Sequence, residues 1–196
     1  QGKDSLLGKI PRDEWRKFAN LRLPSGYKYA QPGKELIFIG GGIGQWKEWN
    51  HESSLDWHLL ENLNHLGLQQ YIRDLNNIYR RYPALHQVDF DHEGFRWVDA
   101  NDSQNSIFSF IRYDKKKEQQ VVAVLNFTPV PRYNYRIGVP DDGYWVEILN
   151  SDASQYGGSG SGNMGAVESY PVPYHDEEHS INILIPPLAI VMFTKE

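Results

Sequence analysis

A change of period near residue 89 constrains this chain most. Downstream of it, residues 95–100, 106–113, 120–127, 134–139, 144–150, 180–185 and 189–194 read as short strands. Turn signals such as Asp141-Asp142-Gly143 and Pro186-Pro187 separate them. Evenly spaced short strands with no helix between them predict an antiparallel β-sandwich over residues 89–196. Residues 157–165, rich in glycine and serine, read as a long loop.

Upstream the pattern is helical or that of a buried strand. Residues 12–23 carry Trp15, Phe18, Ala19, Leu21 and Leu23, the makings of an amphipathic helix. Leu68, Ile72, Leu75, Tyr79 and Tyr82 recur at helical steps over residues 66–82, and Pro83 stops that helix. Leu36-Ile37-Phe38-Ile39, closed by three glycines, predicts a strand over 35–40 buried on both faces, as in a parallel sheet. One such strand and two or three helices cannot close a parallel sheet. Residues 1–88 are therefore expected to be the end of an α/β fold whose remaining strands lie elsewhere in a longer protein. Gln1, neither an initiator Met nor the start of a signal peptide, fits that expectation. Expressed alone, such a piece is expected to aggregate or form non-native dimers through its uncovered sheet.

Composition removes several function classes. The formal net charge is −5 and the one lysine run, Lys115-Lys116-Lys117, sits between acidic residues, so nucleic acid is not an expected partner. There is no cysteine, which excludes disulfides and thiolate zinc sites. No apolar run approaches the ~20 residues that cross a bilayer, so no membrane partner is expected. Aromatic residues make up 13% of the chain, a content that suits either core filling or stacking on sugar rings.

Three motif-like stretches fail on context. His51-Glu52-Ser53-Ser54-Leu55 has leucine where a zinc-protease helix needs its second histidine. The seven histidines form no close group with carboxylates at ligand spacing, so neither a metal nor a cofactor is expected. Gly160-Ser161-Gly162-Asn163-Met164-Gly165 matches a dinucleotide fingerprint, but Tyr170-Pro171-Val172-Pro173 follows where a helix is required. Asn126-Phe127-Thr128 is a formal glycosylation sequon inside a predicted strand and is read as accidental.

The segment from Gly44 to Leu60 is more informative. Gln45, Trp46, Trp49, Asn50, Trp57 and His58 follow the predicted buried strand. In a parallel α/β barrel, the loop after a strand's C-terminal end faces the active site. Such residues could line a sugar groove, or the tryptophans could simply pack the loop.

The chain resembles bacterial glycogen branching enzymes of the α-amylase superfamily. The likeness is carried by Gly2-Lys3, Trp15-Arg16-Lys17-Phe18-Ala19-Asn20-Leu21-Arg22, Glu48-Trp49-Asn50-His51, Ser54-Leu55-Asp56-Trp57-His58-Leu59-Leu60 and Arg73-Asp74-Leu75-Asn76. It continues through Asn126-Phe127-Thr128-Pro129-Val130, Leu149-Asn150-Ser151-Asp152, Tyr156-Gly157-Gly158-Ser159-Gly160 and Pro186-Pro187-Leu188-Ala189. Each motif alone is weak, but their order covers nearly the whole chain.

The resemblance implies that residues 1–88 are the C-terminal part of a catalytic (β/α)8 TIM barrel and residues 89–196 its C-terminal β-sandwich. It implies a cytoplasmic parent that cuts α-1,4-glucan and rejoins the segment to a C6 hydroxyl, forming the α-1,6 branches of glycogen. That chemistry is retaining and uses a carboxylate nucleophile and an acid/base. The family's three catalytic carboxylates precede the stretch matched by Gly2-Lys3, so no catalytic residue is expected here and the isolated chain is expected to be inactive. Asp13, Asp56 and Asp74 match non-catalytic positions. Trp15, with Asp13 beside it, is a glucan-stacking candidate, with helix packing as the equal alternative. Glu61, Gln45 and Trp49 are the other substrate-binding candidates. The expected partners are α-1,4-glucan or glycogen and the parent's N-terminal barrel. At Gly42 and Ile43 the family usually has Glu-Phe, a departure that puts normal parent activity in question. A related superfamily hydrolase and a non-catalytic glucan-binding module are the alternative readings.

Overall fold

The computed structural model describes residues 4–11, 13–48 and 50–196. Gly2, Lys3 and Trp49 therefore lie outside the described residues. Among the described residues three α-helices, α1 (Leu6–Lys9), α2 (Glu14–Ala30) and α3 (Leu63–Arg81), precede eight strands. The strands are β1 (Phe95–Asp99), β2 (Ile107–Tyr113), β3 (Gln120–Asn126), β4 (Arg132–Val139), β5 (Tyr144–Asn150), β6 (Ala166–Glu168), β7 (His179–Ile185) and β8 (Ala189–Lys195).

The antiparallel β-part forms as expected, with one addition. Six strands make a sheet in the order β1-β2-β3-β8-β5-β6, and β4 pairs with β7 in a second sheet. The three-residue β6, just past the loop expected over 157–165, was not among the expected strands; it pairs with β5 from Tyr144↔Glu168 to Val146↔Ala166.

The six-stranded sheet is covered on both faces. Side chains alternate across a strand, so β3 sends Val122 and Val124 to one core and Val121, Ala123 and Leu125 to another. Val191 and Phe193 of β8 join Ile137, Ile181 and Ile183 of the small sheet. Ile190 and Met192 face the other way, onto Phe18, Leu21, Leu68, Tyr71 and Leu75 of α2 and α3. The result is three layers: helices, six strands, two strands. This explains why residues 121–126 are buried without interruption in an antiparallel sheet.

Helix α2 runs past the predicted end at residue 23 and through Pro24 to Ala30. An interior proline costs a helix about 3 kcal/mol. Burying a large apolar side chain returns about 1.5–3 kcal/mol, and Phe18, Leu21, Leu23 and Tyr29 are all buried along this helix. At Gly26 a Cβ would sit 2.4 Å from the Tyr71 hydroxyl and 2.5 Å from Ile190 Cγ2, so α2 can cross α3 and β8 only with glycine there. Helix α3 starts earlier than predicted, where the Asn62 side chain accepts from Asn64 N at 2.8 Å, and it ends before Pro83.

The strand expected over 35–40 does not form. The run lies in neither sheet, and Leu36, Phe38 and Ile39 are 74%, 61% and 54% exposed. A parallel-sheet strand needs ladder partners on both sides, and among the described residues no strand pairs with it.

Two buried cations tie the helices to the sheets. Arg112 of β2, fully buried, donates to Gly94 O (3.1 Å), to Ala30 O at the end of α2 (2.9 Å) and to Asp89 Oδ1 (2.8 Å). Arg22 of α2 donates to Ser151 O (2.7 Å) and Tyr156 O (3.0 Å). Asn126 is also fully buried: its amide donates to Val130 O and Pro186 O and accepts from Thr128, so the sequon is a turn brace. The glycine-rich fingerprint at 160–165 is a loop leading into β6, with no helix after it.

Candidate functional site

Three of the substrate-binding candidates, Asp13, Trp15 and Glu61, gather at one end of the α2–α3 pair. Asn64 Nδ2 donates to Glu14 Oε1 at 2.9 Å and joins the first turns of the two helices. Asp13, Trp15 and Glu61 flank that bond in sequence. Asp13 is the N-cap of α2; its Oδ1 accepts from Arg16 N at 3.0 Å and its Oδ2 lies 3.3 Å from Arg16 Nε. A capping carboxylate of this kind stabilises a helix by about 1 kcal/mol. Trp15 is half-buried. Glu61 is exposed at the end of a 3-10 turn, Trp57–Glu61, in which Trp57 is 55% exposed and its indole N–H donates to Ser54 Oγ at 3.1 Å.

Gln45 is placed differently. Its side chain is buried, its Oε1 accepts from Asp56 N (3.2 Å) and its Nε2 donates to Lys47 O (3.3 Å). The amide thus braces the 45–56 loop from within. The start of that loop is held on the helices by Trp46, whose ring meets Phe18 and His65 edge-on, with Lys17 Nζ 5.1 Å from its centroid. His65 Nδ1 lies 2.7 Å from Ile43 O and must carry a proton to donate there. Ile43 is buried, whereas a Cβ on Gly42 would meet nothing within 4 Å. A longer side chain at Gly42 would project from the loop without steric cost.

Four residues from the stretches that carry the resemblance, Arg22, Asp74, Asp152 and Tyr156, form joints between helices and sheet. Arg22 reaches the Ser151 and Tyr156 carbonyls, and the Tyr156 hydroxyl donates to Asp74 Oδ2 at 2.8 Å. Burial pushes the Tyr156 pKa up, and the Asp74 carboxylate beside it pushes the same way. Burial lowers the Arg22 pKa, partly countered by Asp152. Asp152 in turn accepts from Ser159 N at 3.0 Å and from the Ser159 hydroxyl. Asp74 is therefore occupied in holding the 151–159 loop to α3.

Among the described residues, two surface cavities stand out. One, of about 250 Å³, lies between α1, α2 and the 37–48 segment and is lined by Leu7, Leu21, Ile37, Ile39 and Gln45 among others. The other, of about 840 Å³, opens beside β4 and is mostly polar. None of its residues was singled out from the sequence. The aromatic and polar run Tyr133-Asn134-Tyr135-Arg136 was the available signal. Among the described residues no group of three or more His, Asp or Glu side chains could hold a metal ion, and no helix is long and apolar enough to cross a membrane.

The model of the alpha amylase C-terminal all-beta domain matches residues 97–196. The chain belongs to that family. Its curated relatives are more specific. The 1,4-alpha-glucan branching enzyme GlgB of Aquifex aeolicus is 53% identical over 195 residues, covering 100% of this chain and 31% of that protein. The enzyme of the same name from Aromatoleum aromaticum is 50% identical over 195 residues, again with 100% of this chain and 30% of the relative. The chain thus spans about a third of the length of these relatives. Among solved structures, a maltogenic amylase from S. marinus aligns with a TM-score of 0.54 at 14% identity, over 91% of this chain and 19% of that one. A trehalulose synthase mutant in complex with Tris aligns with a TM-score of 0.52 at 15% identity, over 93% and 39%. At such identities the two structures share the fold with this α-amylase-type domain and nothing finer.

Proposed function

We propose that this chain is the C-terminal portion of a 1,4-α-glucan branching enzyme. The observation that carries the reading is identity of about half the residues along the whole chain to enzymes of that name. In this reading residues 1–88 are the last part of the catalytic (β/α)8 barrel and residues 89–196 the β-sandwich behind it. The exposed apolar run at Leu36, Ile37 and Ile39, of which Ile37 and Ile39 line the 250 Å³ cavity, is then the surface on which the remaining barrel strands seat. Parallel strands of that composition are buried on both faces in complete barrels.

The parent works in the cytoplasm on α-1,4-glucan. Its nucleophile and acid/base lie in the part of the barrel ahead of this chain and carry out a retaining transfer in which a C6 hydroxyl replaces water as acceptor. This chain contributes walls. Trp15 and Glu61 border the glucan, Asp13 fixes the first turn of α2 beside them, and Gln45 braces the neighbouring loop. Asp13 and Asp74 are engaged by Arg16 and Tyr156, which suits positions that take no part in proton transfer.

Linkage analysis of amylose treated with the longer protein tests the reading. New α-1,6 linkages without growth in reducing ends support it. Growth in reducing ends without new linkages would place the parent among the related hydrolases instead.

A further inference from the structure

The larger cavity lies beside the small sheet, across the six-stranded sheet from α2 and α3, and is built around a defect in β4. Arg132 pairs with Ile185 and Tyr135 with Ile183, so two residues of β4 oppose one of β7. Asn134 takes up the extra length at a φ of 53°, a conformation that costs a non-glycine residue about 1–3 kcal/mol and clusters at ligand sites. Bulges of this kind re-aim side chains, and Tyr133 is left 68% exposed.

The floor beneath is fixed. The Tyr135 hydroxyl donates to Asp102 Oδ2 at 2.5 Å, and Asn105 donates to both Asp102 oxygens at 2.9 Å. Tyr174, 44% exposed, faces the cavity from a tight turn. That turn is pressed so closely on β4 that a Cβ on Gly138 would lie 2.0 Å from Tyr174 O. Arg132 lines the same cavity with its Nε buried and unpartnered, and its Nη2 reaches only 3.4 Å to Asn105 O. A buried donor left over in this way calls for an explanation.

The chemistry selects a ligand class. Asp99 and Asp102 are balanced by Arg132 and Arg136 around the cavity, so there is no net field to gather an anion or cation. Two exposed tyrosine rings beside planar Asn, Asp and Arg groups suit a neutral polyhydroxylated ligand with flat apolar faces. At about 840 Å³ the cleft is near the upper end of single-ligand pockets, and it opens to solvent.

We infer that this cleft is a second glucan-holding site, in which Tyr133 and Tyr174 stack on consecutive glucosyl units of an α-1,4-linked chain while Arg132 and the Asn105–Asp102 pair take its hydroxyls. The inference rests on the branching-enzyme reading for its choice of glucan. It gives the sandwich a role in holding the polymer away from the reaction centre.

Tyrosine nitration with site-resolved mass spectrometry tests it on the longer protein, with maltoheptaose as the probe. At maltoheptaose about ten times above its Kd, nitration of Tyr133 and Tyr174 should fall by about tenfold. Tyr144, 57% exposed on β5, should be unaffected. Tyr133→Ala should in addition weaken retention in glycogen-containing gels with no shift in melting temperature. Equal nitration of Tyr133 and Tyr174 with and without maltoheptaose overturns the inference. Linkage analysis on the same preparation separates the two claims. Protection without α-1,6 linkages leaves the cleft standing and removes the parent reading; linkages without protection do the reverse.

Discussion

Replacing Asp89 by alanine should unfold the joint between helices and sheet at a cost that can be worked out in advance. Asp89 is buried, and its Oδ1 accepts from Arg112 Nη2 at 2.8 Å inside a fully buried setting. Its Oδ2 meets Lys34 Nζ at 3.1 Å, but Lys34 is 69% exposed, so solvent screens that contact. Burial already lowers the Arg112 pKa, and Asp89 partly restores it. Removing one partner of a buried pair costs about 3–5 kcal/mol, because the other charge stays buried and unpaired. Arg112 would still donate to the Gly94 and Ala30 carbonyls, so the low end, about 3 kcal/mol, is expected. Replacing Arg112 by methionine as well removes the stranded charge and should recover about 1–2 kcal/mol of that loss. Urea unfolding followed by circular dichroism measures both. A cost below about 1 kcal/mol for Asp89→Ala, or a double variant less stable than the single one, would refute the reasoning.

Other expectations follow from single contacts. Gly138→Ala should cost about 2–3 kcal/mol in thermal melts, since its Cβ has no space against the Tyr174 carbonyl. His175 should make stability fall on acidification. Burial holds its pKa below the usual 6.5 against the pull of Asp99, Asp176 and Asp102, and its Nδ1 accepts from Gly138 N at 3.3 Å only when deprotonated. The unfolded chain then binds the extra proton. The stabilisation is complete above pH 6.5 and is lost as pH drops toward the folded pKa. His175→Gln should flatten urea midpoints in that window. The 196-residue chain alone should self-associate through its exposed apolar run, and Leu36→Ser with Ile39→Ser should restore a monomer in sedimentation runs.

The sequence carried the strands more clearly than their surroundings. Residues 121–125 and 36–39 are equally apolar runs, yet the first is buried throughout and the second lies open. Composition reports a preference for burial, while the covering layer comes from residues far along the chain. For β3 that layer includes α2 and α3, whose buried faces point at the sandwich. Strand β6 escaped notice because three residues behind a glycine-rich loop have no period of their own; their pairing with β5 defines them. Helix α2 continues through Pro24 past its expected end at residue 23, because packing around Phe18, Leu21 and Tyr29 outweighs the proline. At the α2–α3 end, the gathering of Asp13, Trp15 and Glu61 depended on a Glu14–Asn64 contact spanning 50 residues, which no local pattern encodes. The bulge at Asn134 was equally hidden, since its two-against-one count exists only relative to β7.

The most direct measurement compares two preparations on the same amylose: the 196-residue chain and the longer protein that contains it. Methylation analysis should find new α-1,6 branch points with the longer protein and none with the chain alone. Branch points made by the 196 residues unaided, or none made by the longer protein, would contradict the assignment of this chain as the wall, rather than the reactive centre, of a branching enzyme.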